Sequence, residues 1–145
     1  SDYRSKVTIA IAAVFVHRFI KRSGPATARD LMELYDLPAR LVTDLTDKLC
    51  RAGVLSRVMM EGRKDDTGYQ LAVEPSTMTV GSLFRIVYGL GATDFIPDFD
   101  KNFPGVNAAY ARIEQQLRNL SDSIPLSQLE IAEKSKTVNP ANQQP

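Results

Sequence analysis

The chain has 145 residues, of which 43% are hydrophobic and 24% are charged, and its formal net charge is +1. This size and composition suit one globular domain with an apolar core. With so small a net charge, the overall electrostatic field of the protein cannot hold nucleic acid. Binding of nucleic acid through a local basic patch is not excluded. The single cysteine, Cys50, excludes an internal disulfide.

The first predicted element is a helix over residues 3–22, and it contains the most apolar stretch of the chain. Residues 7–16 read VTIAIAAVFV, with basic side chains on both sides. A membrane-spanning helix needs about 20 apolar residues. The shorter run therefore predicts the buried central helix of a bundle, ended by Gly24 and Pro25.

Two further helices form a helix-turn-helix pattern over residues 27–53. The first is predicted over 28–35, with Thr27 as its N-cap and Asp30 in a capping-box position. A tight Asp-Leu-Pro break leads to the second, over 38–52. Its apolar stripe has spacings of four and three and consists of Leu41, Leu45, Leu49 and Ala52.

A β-hairpin is predicted over residues 54–74. Strand-like runs at 54–60 and 69–73 flank the charged segment EGRKDDTG, which contains two glycines. A helix-turn-helix followed by such a hairpin is a winged helix. The predicted fold class is therefore mainly α with a small β-hairpin, a winged helix-turn-helix with additional N- and C-terminal helices.

The C-terminal part is predicted to add helices within residues 79–131. The expected elements are a helix over 80–88 capped by Thr79, a loop over 89–105 whose apolar side chains pack on the domain, a helix over 106–120 and a short turn over 123–129. The winged-helix domain is thus expected to span residues 1–132. The polar segment 133–145 is expected to be disordered.

No catalytic or metal-binding residues are predicted, and no cofactor. His17 is the only histidine and Cys50 the only cysteine, so neither a triad nor a zinc site can be assembled from them. Residues 98–102 begin like a calcium loop. Phe103 and Ala109 then stand where that loop needs glycine and glutamate.

DNA binding is possible but not favoured by the charges. A winged helix commonly places its third helix in the major groove and its wing near the backbone. Asp44 and Asp47 lie in the middle of the outward face of the third helix, where they would repel phosphates. The side chains that could contact DNA are Arg40, Thr43, Arg51, Arg63 and Lys64.

Two segments together resemble the winged helix of iron–sulfur type bacterial transcriptional repressors. They are TARDLMELYDLPARLVTDLTDKLCRAGVLSRV, residues 27–58, and GYQLAVEPSTMTVGSLFRIVYG, residues 68–89. The resemblance implies the fold of a DNA-binding regulator. Those repressors carry a cysteine cluster after the fourth helix, and residues 90–105 here contain no cysteine. The iron–sulfur cofactor is therefore not implied.

Over residues 3–129 the chain also resembles the cytoplasmic C-terminal extension of the YihY/BrkB family, the ribonuclease BN-like membrane proteins. The motifs are YRSKVT, LPARLVTDLTDKLCRAGVLS, TVGSLF, a Gly-x-x-Asp-Phe stretch at 91–95 and SIPLSQL, in that order. This resemblance implies a larger protein whose membrane region precedes Ser1. It places the domain at the cytoplasmic face of a bacterial inner membrane.

The sequence thus favours a non-catalytic accessory or regulatory domain of such a membrane protein, acting by protein–protein interaction or self-association. Candidate contact residues are the apolar side chains of Met59, Met60, Phe95 and Phe99. A DNA-binding transcriptional regulator without the iron–sulfur cysteines is the first alternative. Part of a tRNA-processing ribonuclease is the second, although the ribonuclease label would belong to the membrane region.

Overall fold

The computed structural model describes residues 2–62, 67–89 and 96–134. The helices are α1 (Asp2–Lys21), α2 (Ala28–Tyr35), α3 (Ala39–Arg51), α4 (Val80–Tyr88), α5 (Phe99–Asn102) and α6 (Pro104–Asp122). The strands are β1 (Ala26–Thr27), β2 (Leu55–Met59) and β3 (Thr67–Leu71), and 3₁₀ turns occur at Pro75–Thr77 and Leu126–Gln128. The predicted fold class, a mainly helical winged helix-turn-helix with added terminal helices, is confirmed.

Helix α1 is the buried centre of the domain, as predicted. Ile11 and Phe15 are 0% and 1% exposed, and every residue between them is also buried. Side chains from α2, α3 and the sheet complete the same apolar cluster. Because α1 is apolar on nearly all sides, it can be covered by several elements at once.

The helix-turn-helix forms through local signals that the sequence carries. The Thr27 hydroxyl accepts a hydrogen bond from the backbone N–H of Asp30 at 3.0 Å, and the Asp30 carboxylate accepts one from the N–H of Thr27 at 2.9 Å. This reciprocal capping box satisfies two N–H groups at the start of α2. Asp36 then adopts a left-handed conformation with φ of 56°, which turns the chain toward α3.

The predicted wing is confirmed as the antiparallel pair β2–β3, in which Leu55 lies opposite Leu71. Strand β1 pairs with the other edge of β3, so the strand order is β1-β3-β2. The sequence did not predict β1, because two residues are too few to show alternation. The tip of the wing, residues 63–66, lies outside the described residues.

The predicted loop over 89–105 needs a correction, because it contains helix α5. The Phe99 ring is half-buried and lies 5.1 Å from the Phe103 ring, centroid to centroid. Ile96 and Phe103 are 60% and 52% exposed, so the expected packing of these side chains on the domain is wrong. Phe95 lies outside the described residues.

After α6 the chain returns to the core. Leu126 is fully buried, and Ile131 packs against the same cluster. The backbone N–H of Lys134 donates to the carbonyl of Leu34 at 2.7 Å, which ties this C-terminal segment to the end of α2. The domain limits of 1–132, and the disorder predicted for 133–145, stay predictions. Residues 135–145 lie outside the described part.

Candidate nucleic-acid interface

The exposed face of α3 carries the side chains that the sequence assigned to DNA. Arg40 and Thr43 are exposed near its start, and Arg51 is exposed at its end. The Thr43 hydroxyl donates to the carbonyl of Ala39 at 2.9 Å, which orients its side chain along the helix. These three predicted positions therefore share one surface and are reachable from solvent.

Asp47 links α3 to the wing. Its carboxylate accepts hydrogen bonds from Arg51, one turn later, and from Arg57 Nη2 in β2 at 2.7 Å. The pKa of this carboxyl is lowered from its ordinary value, mainly by the hydrogen bond from the Arg51 guanidinium. Arg57 lowers the pKa further. Asp47 is thus a paired anion that fixes two guanidinium groups at the junction of helix and wing.

Asp44 also faces a guanidinium group. Arg4 Nη1 in α1 lies 4.0 Å from its carboxylate, with both side chains about half exposed at 47% and 48%. On and around the exposed face of α3, the basic side chains outnumber the acidic ones. The basic residues are Arg4, Arg40, Lys48, Arg51 and Arg57, and the acidic residues are Asp44 and Asp47. The expected phosphate repulsion is therefore offset locally, and α3 presents a basic surface.

Lys48 is held at the edge of this surface. Its ammonium lies 4.4 Å from the centroid of the Tyr88 ring in α4, a cation–π arrangement. The pKa of the Tyr88 phenol is lowered, mainly by a hydrogen bond from Ser5. The charges of Lys48 and Arg4 lower it further. Side chains of α1 and α3 therefore meet at the Tyr88 side chain of α4.

Helical spacing alone could not reveal Arg4 and Arg57 as part of this surface, because α1 and β2 bring them there through tertiary contacts. Arg63 and Lys64, the predicted wing contacts, lie outside the described residues. Of the predicted protein contacts, Met59 on the wing is 94% exposed. Met60 is half-buried and lies against Gly68 of β3.

A second surface runs along α6. Apolar side chains at alternating spacings of four and three residues are 56–62% exposed, namely Val106, Tyr110, Ile113, Leu117 and Leu120. Alternation of four and three is the spacing of a coiled-coil seam. A shallow groove of about 700 Å³ lies along this helix, between Ala109 and Leu120. The face predicted from residues 109, 113, 116, 117 and 120 is thus a single surface.

The described residues contain no group of three or more His, Cys, Asp or Glu side chains placed to hold a metal ion. Cys50 is half-buried in α3, and burial is the main cause that raises the pKa of its thiol. That environment disfavours the reactive thiolate form.

The fold and its exposed third helix define a winged-helix module. No family model matches this chain, and no curated protein matches it. No helix in the described part of the chain is long and apolar enough to cross a membrane.

Solved structures with the same fold do match. IscR of T. potens is 22% identical, with a TM-score of 0.63, and the match covers 86% of this chain and 80% of that one. CymR (YrzC), the global cysteine regulator of B. subtilis, is 20% identical with a TM-score of 0.63, covering 85% and 89%. Staphylococcus aureus CymR is 16% identical with a TM-score of 0.62, covering 89% and 99%. At these identities the likeness establishes the fold alone.

Proposed function

We propose that this protein is a DNA-binding transcriptional regulator that acts as a homodimer. The observation that carries the proposal is the paired, net basic surface of α3. Asp44 and Asp47 each face a guanidinium group there, while Arg40 stays exposed. Neutralisation of phosphates by basic side chains supplies much of the affinity of such proteins for DNA.

Each predicted contact has a distinct role in this proposal. Arg40 and Thr43 lie in the first turns of α3, the part of a recognition helix that contacts base edges. Arg51 lies at the opposite end, where we assign it to a phosphate. Arg63 and Lys64 at the wing tip would contact the backbone beside the groove.

A second copy of the chain is the proposed occupant of the α6 seam. A seam of this kind is covered by another helix in a coiled coil, and a two-fold interface must be self-complementary. The seam is apolar and exposed from Val106 to Leu120, so the same surface on a second copy is complementary to it. Two recognition helices would then address two half-sites of one operator.

The fold comparisons support this hypothesis better than the accessory-domain hypothesis, since CymR is named a global regulator. The location at an inner membrane, the membrane region preceding Ser1 and the ribonuclease alternative rest on sequence motifs alone. They receive no support from the matching structures.

The test of DNA binding begins with selection from a random duplex pool. Affinity for the selected duplex is then measured by fluorescence anisotropy against salt concentration. Arg40→Ala should weaken binding by about tenfold or more and relax base preference, whereas Arg51→Ala should weaken all sequences alike and reduce the salt slope by about one. Lys101→Ala in α5 is the matched control. Failure to enrich any sequence, with no binding at low salt, would refute the proposal.

Self-association is tested separately by sedimentation velocity over a range of protein concentrations. The chain should sediment as a dimer, Ile113→Glu as a monomer, and Arg118→Ala, on the opposite side of α6, as a dimer. A natural chain that stays monomeric at all concentrations would remove the dimer from the proposal without affecting the assignment of α3.

A further inference from the structure

A cavity of about 400 Å³ lies on the opposite end of α1 from Arg4, between the ends of α1 and α2 and the C-terminal segment. Its polar lining consists of His17, Arg18, Lys21, Ser23, Tyr35 and Glu133. Small-molecule pockets usually measure about 300–1,000 Å³. The cavity is therefore of a size that could enclose a metabolite.

The His17 imidazole leaves one ring nitrogen without a partner. Its Nε2 atom is buried and makes no hydrogen bond with any described residue. A buried polar atom without a partner destabilises the folded state, because it has lost its hydrogen bonds to water. Other atoms of His17 line the cavity, so a turn of the ring toward the cavity would bring Nε2 to a bound molecule that supplies the missing hydrogen bond.

Two cations lie beside this histidine. The Arg18 guanidinium donates to the carbonyls of Gly24 at 3.1 Å and of Ser23 and Pro25 at 3.2 Å, so its position is fixed by the turn after α1. Lys21 lies one turn from His17 and forms no ion pair within the described residues. Its ammonium is thus available to a ligand.

The lining also carries one acid and one phenol. Burial is the main cause that raises the pKa of the Tyr35 phenol, and the charge of Glu133 raises it further, while Arg18 opposes the shift. Tyr35 therefore stays neutral at physiological pH and can donate a hydrogen bond. Since Arg18 and Lys21 face a single carboxylate, that of Glu133, the lining is net positive.

We propose that this cavity binds a small organic anion through its carboxylate or phosphate group. Lys21 and the fixed Arg18 hold the anionic group, Tyr35 donates to it, and His17 Nε2 pairs with a polar atom of the same molecule. The site lies away from the exposed face of α3 and from the α6 seam. Anion binding in this cavity is therefore separate from DNA binding and does not depend on it.

The first experiment measures thermal unfolding of the full chain with inorganic phosphate, succinate or 3-phosphoglycerate, each against sodium chloride at equal ionic strength. A ligand that binds only the folded state raises the melting temperature in a saturable way. Saturation with succinate but not with inorganic phosphate assigns the carboxylate, and saturation with inorganic phosphate but not with succinate assigns the phosphate. 3-Phosphoglycerate carries both groups, so its saturation supports an anion site without assigning the group. No rise beyond that in chloride with any of the three would overturn the proposal.

Variants then locate the site by calorimetric titration of the probe that binds. Lys21→Met should weaken binding by about tenfold or more, because it removes a charge-assisted contact. Lys6→Met makes the same charge change on an exposed position of α1 outside the cavity and should leave the affinity unchanged. Equal weakening by the two variants would show a general charge effect and overturn the assignment.

His17→Leu separates binding from folding. It should reduce the affinity for the probe, while the free protein should be as stable as before or more stable, because an unpaired buried nitrogen is removed. Unchanged affinity in this variant would exclude His17 from the site and contradict the proposed hydrogen bond.

Discussion

Helices α1 and α6 have nearly equal lengths, 20 and 19 residues, and opposite environments. In α1 the residues from Ile11 to Val16 are all buried, whereas in α6 every residue from Pro104 to Leu120 is exposed. Apolar side chains occur in both. The difference lies in their arrangement, because α1 is apolar on nearly all sides and α6 carries a single seam. An all-round pattern indicates burial within the domain, and a seam indicates one further helix as partner.

Truncation of one aromatic side chain in each helix tests this contrast most strongly. Phe15→Ala in α1 should lower the free energy of unfolding by about 3–5 kcal/mol, through lost burial and a residual cavity. Tyr110→Ala in α6 should change it by less than about 0.5 kcal/mol in dilute solution, where α6 is unpaired. Urea titration measures both. Similar losses at low protein concentration would contradict the exposed position of α6.

The junction of α6 with α4 gives the next largest effect. A Cβ at Gly81 would lie 2.9 Å from the backbone N of Asp122 and would also collide with the Asp122 carboxylate, which pairs with Arg85. Gly81→Ala should therefore destabilise the domain by about 1–3 kcal/mol.

Gly105→Ala is the matched control at the N-terminal end of α6, where a Cβ would meet no atom within 4 Å. It should stabilise the protein by up to about 1 kcal/mol, because alanine favours helix. Thermal unfolding of the two variants should give shifts of opposite sign. A gain for Gly81→Ala would show that the two helices separate easily.

Removal of a threonine hydroxyl should give a smaller difference in stability between a buried N-cap and an exposed helix position. Thr27 is 3% exposed and caps α2, so Thr27→Ala should cost about 1 kcal/mol. The hydroxyl of Thr43, exposed on α3, only bonds to the preceding turn, and Thr43→Ala should leave stability nearly unchanged. Denaturant midpoints compare the two variants, and equal costs would contradict this assignment.

The smallest expected effect concerns acid stability. Since the pKa of Asp47 is lowered below 3.8 in the folded state, its contribution is present above that ordinary value and is lost as the pH falls through the lowered pKa. The difference in unfolding free energy between Asp47→Asn and the natural chain should be small at neutral pH and vanish in strong acid. A difference that grows on acidification would contradict the pairing.

Local signals predicted much of the fold. The first residues of α2 and α4 were predicted correctly because each helix begins with a threonine cap. Helix α6 extends beyond the predicted 106–120 to Pro104 and Asp122, since proline is accepted in the first turn of a helix.

The sequence predicted only part of the candidate site. Helical spacing identified Arg40 and Arg51. It could not identify Arg4 and Arg57, whose neighbours in space are distant in sequence. For the same reason the acidic residues of α3 looked unfavourable when taken alone, and Asp47 became a paired group only once the wing was folded against the helix.

Leu126 has a consequence for synthesis on the ribosome. This side chain fills the core beside α1, although it follows α6 in the chain. A nascent chain that has not yet reached Leu126 therefore leaves part of the apolar surface of α1 uncovered, even when the helix-turn-helix has already formed. Domains generally fold as units, and incompletely packed intermediates are prone to aggregate. Ribosome pausing before this position would thus lengthen the time during which the chain needs a chaperone.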